Sequence, residues 1–262
     1  MQIDALDPAL DEGWITDALR TVKSGKEATV YLCRGGERSG ARLLAAKVYR
    51  TLEDRAFRND ADYLQGGMRA AGRREKLAAA KRTGFGRSVL FGRWLGREFE
   101  TLRLLHPAGA RVPRPVAVVS GVVLLEWIGE GEEAAPHLRQ ADLSRSHAAD
   151  LADVLVEQVE MFLACNVVHG DLSEYNVLLK DGGPVVIDFP QAVDARFNRQ
   201  ARDLLHRDLA NLARFFARHG VRFDAERRSA DIWRRWLRSE LIIPDGESNP
   251  ALSWVDTRFT RG

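Results

Sequence analysis

Two apolar runs that each carry polar residues at their ends constrain this chain most. VVHGDLSEYNVLL covers Val167 to Leu179, and VVIDFP covers Val185 to Pro190. Short apolar runs beside turn residues read as buried strands. Packing gives no reason to end such strands in Asp171, Asn176 and Asp188, because buried polar groups without partners are costly. A divalent cation and a phosphate would give one. Magnesium needs only one or two carboxylates beside phosphate oxygens and water. Asp188 and Asn176 supply a carboxylate and an amide oxygen for such an ion. Asp171 lies on the same loop as Asn176 and can orient or deprotonate an attacking hydroxyl.

Two further residues extend the set. Lys47 is an isolated cation closing the run LLAAK, and can neutralise charge on α- and β-phosphates. Glu98, on a helical segment, can hold Lys47 in place, with Glu100 as its competitor. Phosphoryl transfer asks for little more, because its catalysis is mostly positioning and electrostatics.

The order of elements fits a cleft between two lobes. Residues 1–20 read as a short arm. KSGKEATVYLCRG and ARLLAAKVYR are strand-like runs around the turn GGERSG, and PVAVVSGVVLLEW reads as a hairpin turning at Ser120-Gly121. WLGREFETLRLLHPAG is helical, with Trp94, Leu95, Phe99, Leu102 and Leu105 on one face. A connector follows near Glu126 to Gly131. After it comes a long helix with Leu151, Val154, Leu155, Gln158, Val159 and Phe162 near one stripe, then the strands around DLSEY and further helices. The expected fold is α+β and bilobal: an antiparallel sheet plus one helix over residues 21–128, and a mostly helical half over 129–262.

Composition excludes several classes. No apolar run approaches about 18 residues, so no membrane-spanning helix is expected. The acidic start MQIDALDPALDEGW does not read as a secretory signal. Cys33 and Cys165 read as reduced thiols of a cytoplasmic protein, neither bridged nor zinc-bound. Between Arg55 and Arg103 there are 12 Lys or Arg against 5 Asp or Glu. This stretch, with a polar insertion at about 55–92, is either a solvated surface or a face for RNA or a ribosomal partner.

The constellation resembles that of protein kinases: HGDLSEYN stands for H-R-D-x-x-x-x-N, and DFP for D-F-G. The phosphate loop departs from the pattern. Counting back from Val30, kinase glycines would fall at 23, 25 and 28, where this chain has Lys23, Gly25 and Ala28. Ser24 and Lys26 can offer a hydroxyl and a cation instead. Val30 and Ala45 would line the adenine pocket.

SGKEATVY, AAKVYR, HGDLSEYN and IDFPQAVD together resemble the RIO family of atypical serine/threonine protein kinases, from about Lys23 to Arg218. The resemblance implies a two-lobed kinase fold, ATP with Mg2+ or Mn2+, and kinase or ATPase activity. By it, Asp171 is the catalytic aspartate and Asn176 and Asp188 are the metal ligands. Lys47 contacts phosphate, and Glu126 with Ile128 forms the hinge facing adenine. Family members in eukaryotes and archaea act in small ribosomal subunit maturation. The Ala- and Arg-rich composition points to a GC-rich, bacterial source. Self-phosphorylation of Ser24, Ser88 or other hydroxyls of the insertion is a further expectation.

Other readings remain open on sequence grounds. An ATP-driven switch acting on a ribonucleoprotein is one. A small-molecule phosphotransferase is another, although AERRSADIWRRWLRSEL is basic where such enzymes carry an acidic pocket. A nucleotide-binding pseudokinase is disfavoured by the retained lysine, aspartates and asparagine. His169 reads as a packed, hydrogen-bonded structural residue, Asp208 as structural, pairing with the catalytic-loop backbone or a nearby Arg, and Trp233, Trp236 and Leu237 as core.

Overall fold

A computed structural model of the chain describes residues 4–25, 28–49 and 96–243. The insertion at 55–92, Lys26, Ser88, Trp94 and Leu95 lie outside the described residues.

Five strands form one antiparallel sheet in the order β1-β2-β3-β5-β4. They are β1 (Ile15–Ser24), β2 (Ala28–Gly35), β3 (Leu43–Tyr49), β4 (Pro115–Val119) and β5 (Val122–Glu126). Side chains alternate across a strand, so each strand has two faces with different duties. Leu44, Ala46, Val48, Val122 and Leu124 pack on the outer face with Leu6 and Ala9, the latter on the short helix α1 (Asp7–Asp11). Ala45, Lys47 and Tyr49 take the opposite face, with Val123 and Leu125, toward the helix α2 (described over 96–105) and the helical half. A charged Lys47 within an apolar strand is thus aimed at the cleft by the pleat alone.

The expected hairpin is present. Ser120 and Gly121 have φ of 44° and 91°, both positive, as a two-residue type I′ turn requires. The expected arm is shorter than the sequence suggested. β1 already begins at Ile15, and Ile15 is buried while most of the strand is not. Its polar composition and three register shifts against β2 hide the period of two.

The second half is mostly helical. α3 (Arg145–Ala164) starts at Ser144, whose hydroxyl accepts the His147 N–H at 3.2 Å, an N-cap that satisfies an end donor. Leu151, Leu155, Val159 and Phe162 are buried along it, whereas Val154 lies at the margin. α4 (Ala201–Ala217) and α5 (Ala225–Leu237) follow. Between α3 and α4, β8 (Val167–Val168) pairs with β11 (Val193–Asp194), and β9 (Val177–Lys180) with β10 (Gly183–Val186). These small ladders fix both ends of the HGDLSEYN loop. The connector folds as a hairpin of β6 (Gly129–Glu130) and β7 (Glu133–Ala134). The whole is the bilobal α+β fold expected of a kinase-like chain.

Trp233 and Trp236 pack against the core, and Trp236 donates its indole N–H to Asn166 at 3.1 Å. Leu237 corrects the sequence reading: it is 66 % exposed, on the outer side of the last helical turn. Both cysteines are buried, and burial pushes the thiols up to about 12 for Cys33 and about 11 for Cys165. Such thiols are inert at neutral pH. No helix among the described residues is long and apolar enough to cross a membrane.

Candidate active site

Lys47 bridges the two halves of the molecule. Its Nζ lies 2.7 Å from Oε1 of Glu98 on α2 and 2.5 Å from Oδ1 of Asp188, just beyond β10. Burial alone would lower the lysine pKa, but the two carboxylates outweigh it and raise it, so the ammonium stays charged. Glu98 is fully buried, and burial raises its own pKa against the pull of Lys47. Besides Lys47, the Tyr49 hydroxyl and the Phe189 N–H, at 3.1 Å, donate to it. Three donors on one buried carboxyl suit the ionised form. Glu100, its competitor in sequence, is exposed and pairs with Arg103 at 3.3 Å.

Asp188 stands in the left-handed region with φ of 71°, a conformation that aspartate and asparagine tolerate better than most residues. Burial would raise its pKa, but Lys47 overrides this and holds it below the ordinary value. Phe189 is fully buried, edge-on to Phe162 at 5.6 Å and against His169 at 4.6 Å. The DFP segment is therefore locked inward by packing and by the Glu98 bond.

The loop carrying Asp171 is held by its backbone. His169 is a structural residue: Nδ1 accepts the Asp171 N–H at 3.2 Å, and Nε2 faces the Ile187 carbonyl at 3.1 Å. Burial lowers its pKa to about 4, so it is neutral. From α4, Asp208 accepts the N–H groups of Gly170 and Leu172 at 2.8 and 2.9 Å. Burial lifts the Asp208 carboxyl to about 7 despite those donors. Arg207 donates to the Gly170 carbonyl, and Asn211 to the Leu172 carbonyl at 3.0 Å.

Asn176 donates through Nδ2 to the Asp171 carbonyl at 2.8 Å, which leaves its amide oxygen to face a cation. Its own carbonyl accepts the Ile187 N–H at 2.9 Å, tying it to the residue before Asp188. The Asp171 side chain is solvent-facing; burial of its surroundings, then the charge of Asp188, raise its pKa. Among the described residues no group of three or more acids, His or Cys could cage a metal. One carboxylate and one amide oxygen fit a magnesium-type ion that takes its remaining ligands from phosphate and water.

The other expected residues divide. Val30 and Ala45 lie on the cleft face, Val30 directly opposite Lys47. Ile128 gives its carbonyl to the Ala135 N–H at 3.0 Å. The Glu126 carboxylate accepts the Arg114 N–H at 3.1 Å and lies 3.7 Å from Lys180, so any adenine contact from Glu126 is backbone. Gly25 closes the β1–β2 turn through its N–H to Ala28, at 2.9 Å. Ser24 does not face the cleft. It is opposite Thr29, whose partner Val48 belongs to the outer face, and its hydroxyl lies 3.4 Å from that of Thr29. Tyr49, Arg207 and Asn211 went unnoticed in sequence. Tyr49 follows Lys47 by two residues on one strand and so shares its face. Arg207 directly precedes Asp208, and Asn211 follows Arg207 by four residues, one turn along α4.

A lysine–glutamate pair between a sheet and a helix, a loop aspartate with its asparagine, and a strand-end aspartate form a protein-kinase-like arrangement. Comparison with known proteins narrows this class. The RIO domain family matches residues 29–229. The chain belongs to that family. RIO-type serine/threonine-protein kinase Rio1 of Haloferax volcanii is 33 % identical over 205 residues, covering 78 % of this chain and 65 % of the relative. Human serine/threonine-protein kinase RIO1 is 29 % identical over 218 residues, covering 81 % and 35 %. Rio1 of Thermoplasma acidophilum is 26 % identical over 189 residues, covering 72 % and 92 %. The chain thus spans about a third of the human relative and just under two thirds of the Haloferax one. These relatives are archaeal and eukaryotic; the bacterial source suggested by composition has no counterpart among them.

Proposed function

We propose that this chain is an atypical serine/threonine protein kinase that uses ATP with Mg2+ or Mn2+ and phosphorylates its own hydroxyls as well as a protein substrate. The observation that carries this reading is Lys47 held between Glu98 and Asp188, at 2.7 and 2.5 Å, across the cleft from the Asp171–Asn176 loop. Adenine would lie against Val30 and Ala45, along the backbone of Glu126 and Ile128. Lys47 would hold the α- and β-phosphates, released from part of its bond to Asp188 as the nucleotide enters. Asn176 and Asp188 would hold the cation, which when bound neutralises charge on the β- and γ-phosphates. Asp171 would accept the proton of a serine or threonine hydroxyl as its oxygen forms a bond to the γ-phosphorus and the bond to ADP breaks. A raised pKa makes it the better base for that step.

Incubation of the chain with γ-labelled ATP and Mg2+, without added protein, tests the reading. Label on serine or threonine of the chain, lost in Asp171→Asn, is the expected result. Phosphate release without any labelled hydroxyl would favour the ATP-driven switch on a ribonucleoprotein. Neither release nor label with either metal would contradict nucleotide chemistry altogether.

A further inference from the structure

The strand that precedes the phosphate loop presents a lysine where kinases place a glycine. Aligned partners on neighbouring strands share a face of the sheet. Lys23 lies opposite Val30, Val30 opposite Lys47, and Lys47 opposite Val123. Lys23 is therefore on the cleft face, in one row with Lys47. Two strand spacings separate their backbones, about 10 Å, a gap that two lysine side chains leaning inward can close around one polyphosphate.

A bulge makes this possible. Arg20 is opposite Leu32 and Lys23 opposite Val30, so three steps along β1 match two along β2. Without the extra residue, side chains three apart would point to opposite faces. With it, both cations face the cleft, the re-aiming that β-bulges perform beside active sites. Arg20 confirms the direction, since its guanidinium reaches the Glu132 carbonyl at the β6–β7 turn, at 2.5 Å. Lys23 is exposed. Its charge is felt on the helical half: after burial it is the next influence on His137.

We infer that Lys23 is a second phosphate-binding cation of the nucleotide site, taking over by charge what a glycine-rich loop does by bare backbone. The same bulge and alternation turn Ser24 away. This inference rests on the nucleotide reading above and deepens it.

Binding of ATP and of adenosine, each with Mg2+, to the full chain and to Lys23→Ala and Lys23→Arg tests it. Lys23→Ala should weaken ATP about tenfold, as loss of a charge-assisted contact does, and leave adenosine unchanged. Lys23→Arg should restore most of the loss, and ATP affinity should fall less steeply with salt in Lys23→Ala than in the wild type. Equal ATP affinity in Lys23→Ala and wild type would overturn the inference. An equal loss for ATP and adenosine would also overturn it, because it would mark a structural role. A wild-type chain that binds no ATP would instead overturn the nucleotide reading itself.

Discussion

Glu98 has no exposure to solvent and three donors around it, so its charge is tolerable only while Lys47 is present. Lys47→Met should therefore do two things. It should abolish phosphoryl transfer, and it should destabilise the fold by about 3–5 kcal/mol, the cost of leaving a buried charge unpaired. Adding Glu98→Gln should recover most of that stability in urea unfolding but none of the activity. Recovery of both would show that Lys47 only balances charge. Tyr49→Phe removes the donor on the other carboxylate oxygen and should cost about 1–3 kcal/mol. Asp188→Asn should keep the fold, since asparagine also accepts the left-handed backbone, at the cost of the ion pair with Lys47, and should lose metal-dependent turnover.

The loop from His169 to Asn176 is shaped by the elements on either side. Two of its supports titrate in opposite senses. Burial lowers His169 from 6.5 to about 4, which adds stability that is present above 6.5 and lost as pH falls toward 4. Burial raises Asp208 from 3.8 to about 7, which adds stability present below 3.8 and lost as pH rises toward 7. Between about 4 and 6.5 the two slopes oppose each other. In Asp208→Asn the second slope is gone, so urea stability should rise with pH more steeply than in the wild type, by on the order of 1–3 kcal/mol over that window. Parallel profiles for the two proteins would show that Asp208 does not carry the shift. Much at this scale was legible in sequence, and for definite reasons. The Ser120-Gly121 hairpin announced itself by its turn residues, α3 by its apolar stripe, and HGDLSEYN by polar residues that packing could not explain. What stayed hidden was periodicity broken by bulges. The polar edge strand β1 passed for an arm, and the bulge before Ser24 put Lys23, not Ser24, on the cleft face. Glu98 could not be told from Glu100 until the helix was placed against Lys47.

Across the whole molecule, the segment between the strand-end aspartate and α4 is short and chemically plain. Residues 189–200 contain no serine, threonine or tyrosine, and six of them, 195–200, lie between β11 and α4. Gly170 replaces the loop arginine that would pair with a phosphate there. Its φ is 78°, and a Cβ would come within 2.8 Å of the Gln191 carbonyl oxygen, so no side chain fits without movement. Turnover should therefore not depend on phosphorylation of this segment, and phosphatase-treated protein should keep its full rate. The same brevity leaves little platform for a substrate peptide among residues 189–200. Asn176 and Asp188 are proposed to hold a cation on the phosphates of a nucleotide gripped by Lys47. Calorimetric titration of ATP with and without Mg2+, into the wild type and the Asn176→Ala, Asp188→Asn double variant, tests this. The wild type should bind ATP more tightly with the metal and the double variant should show no such gain; an equal metal-dependent gain in both would contradict the assignment.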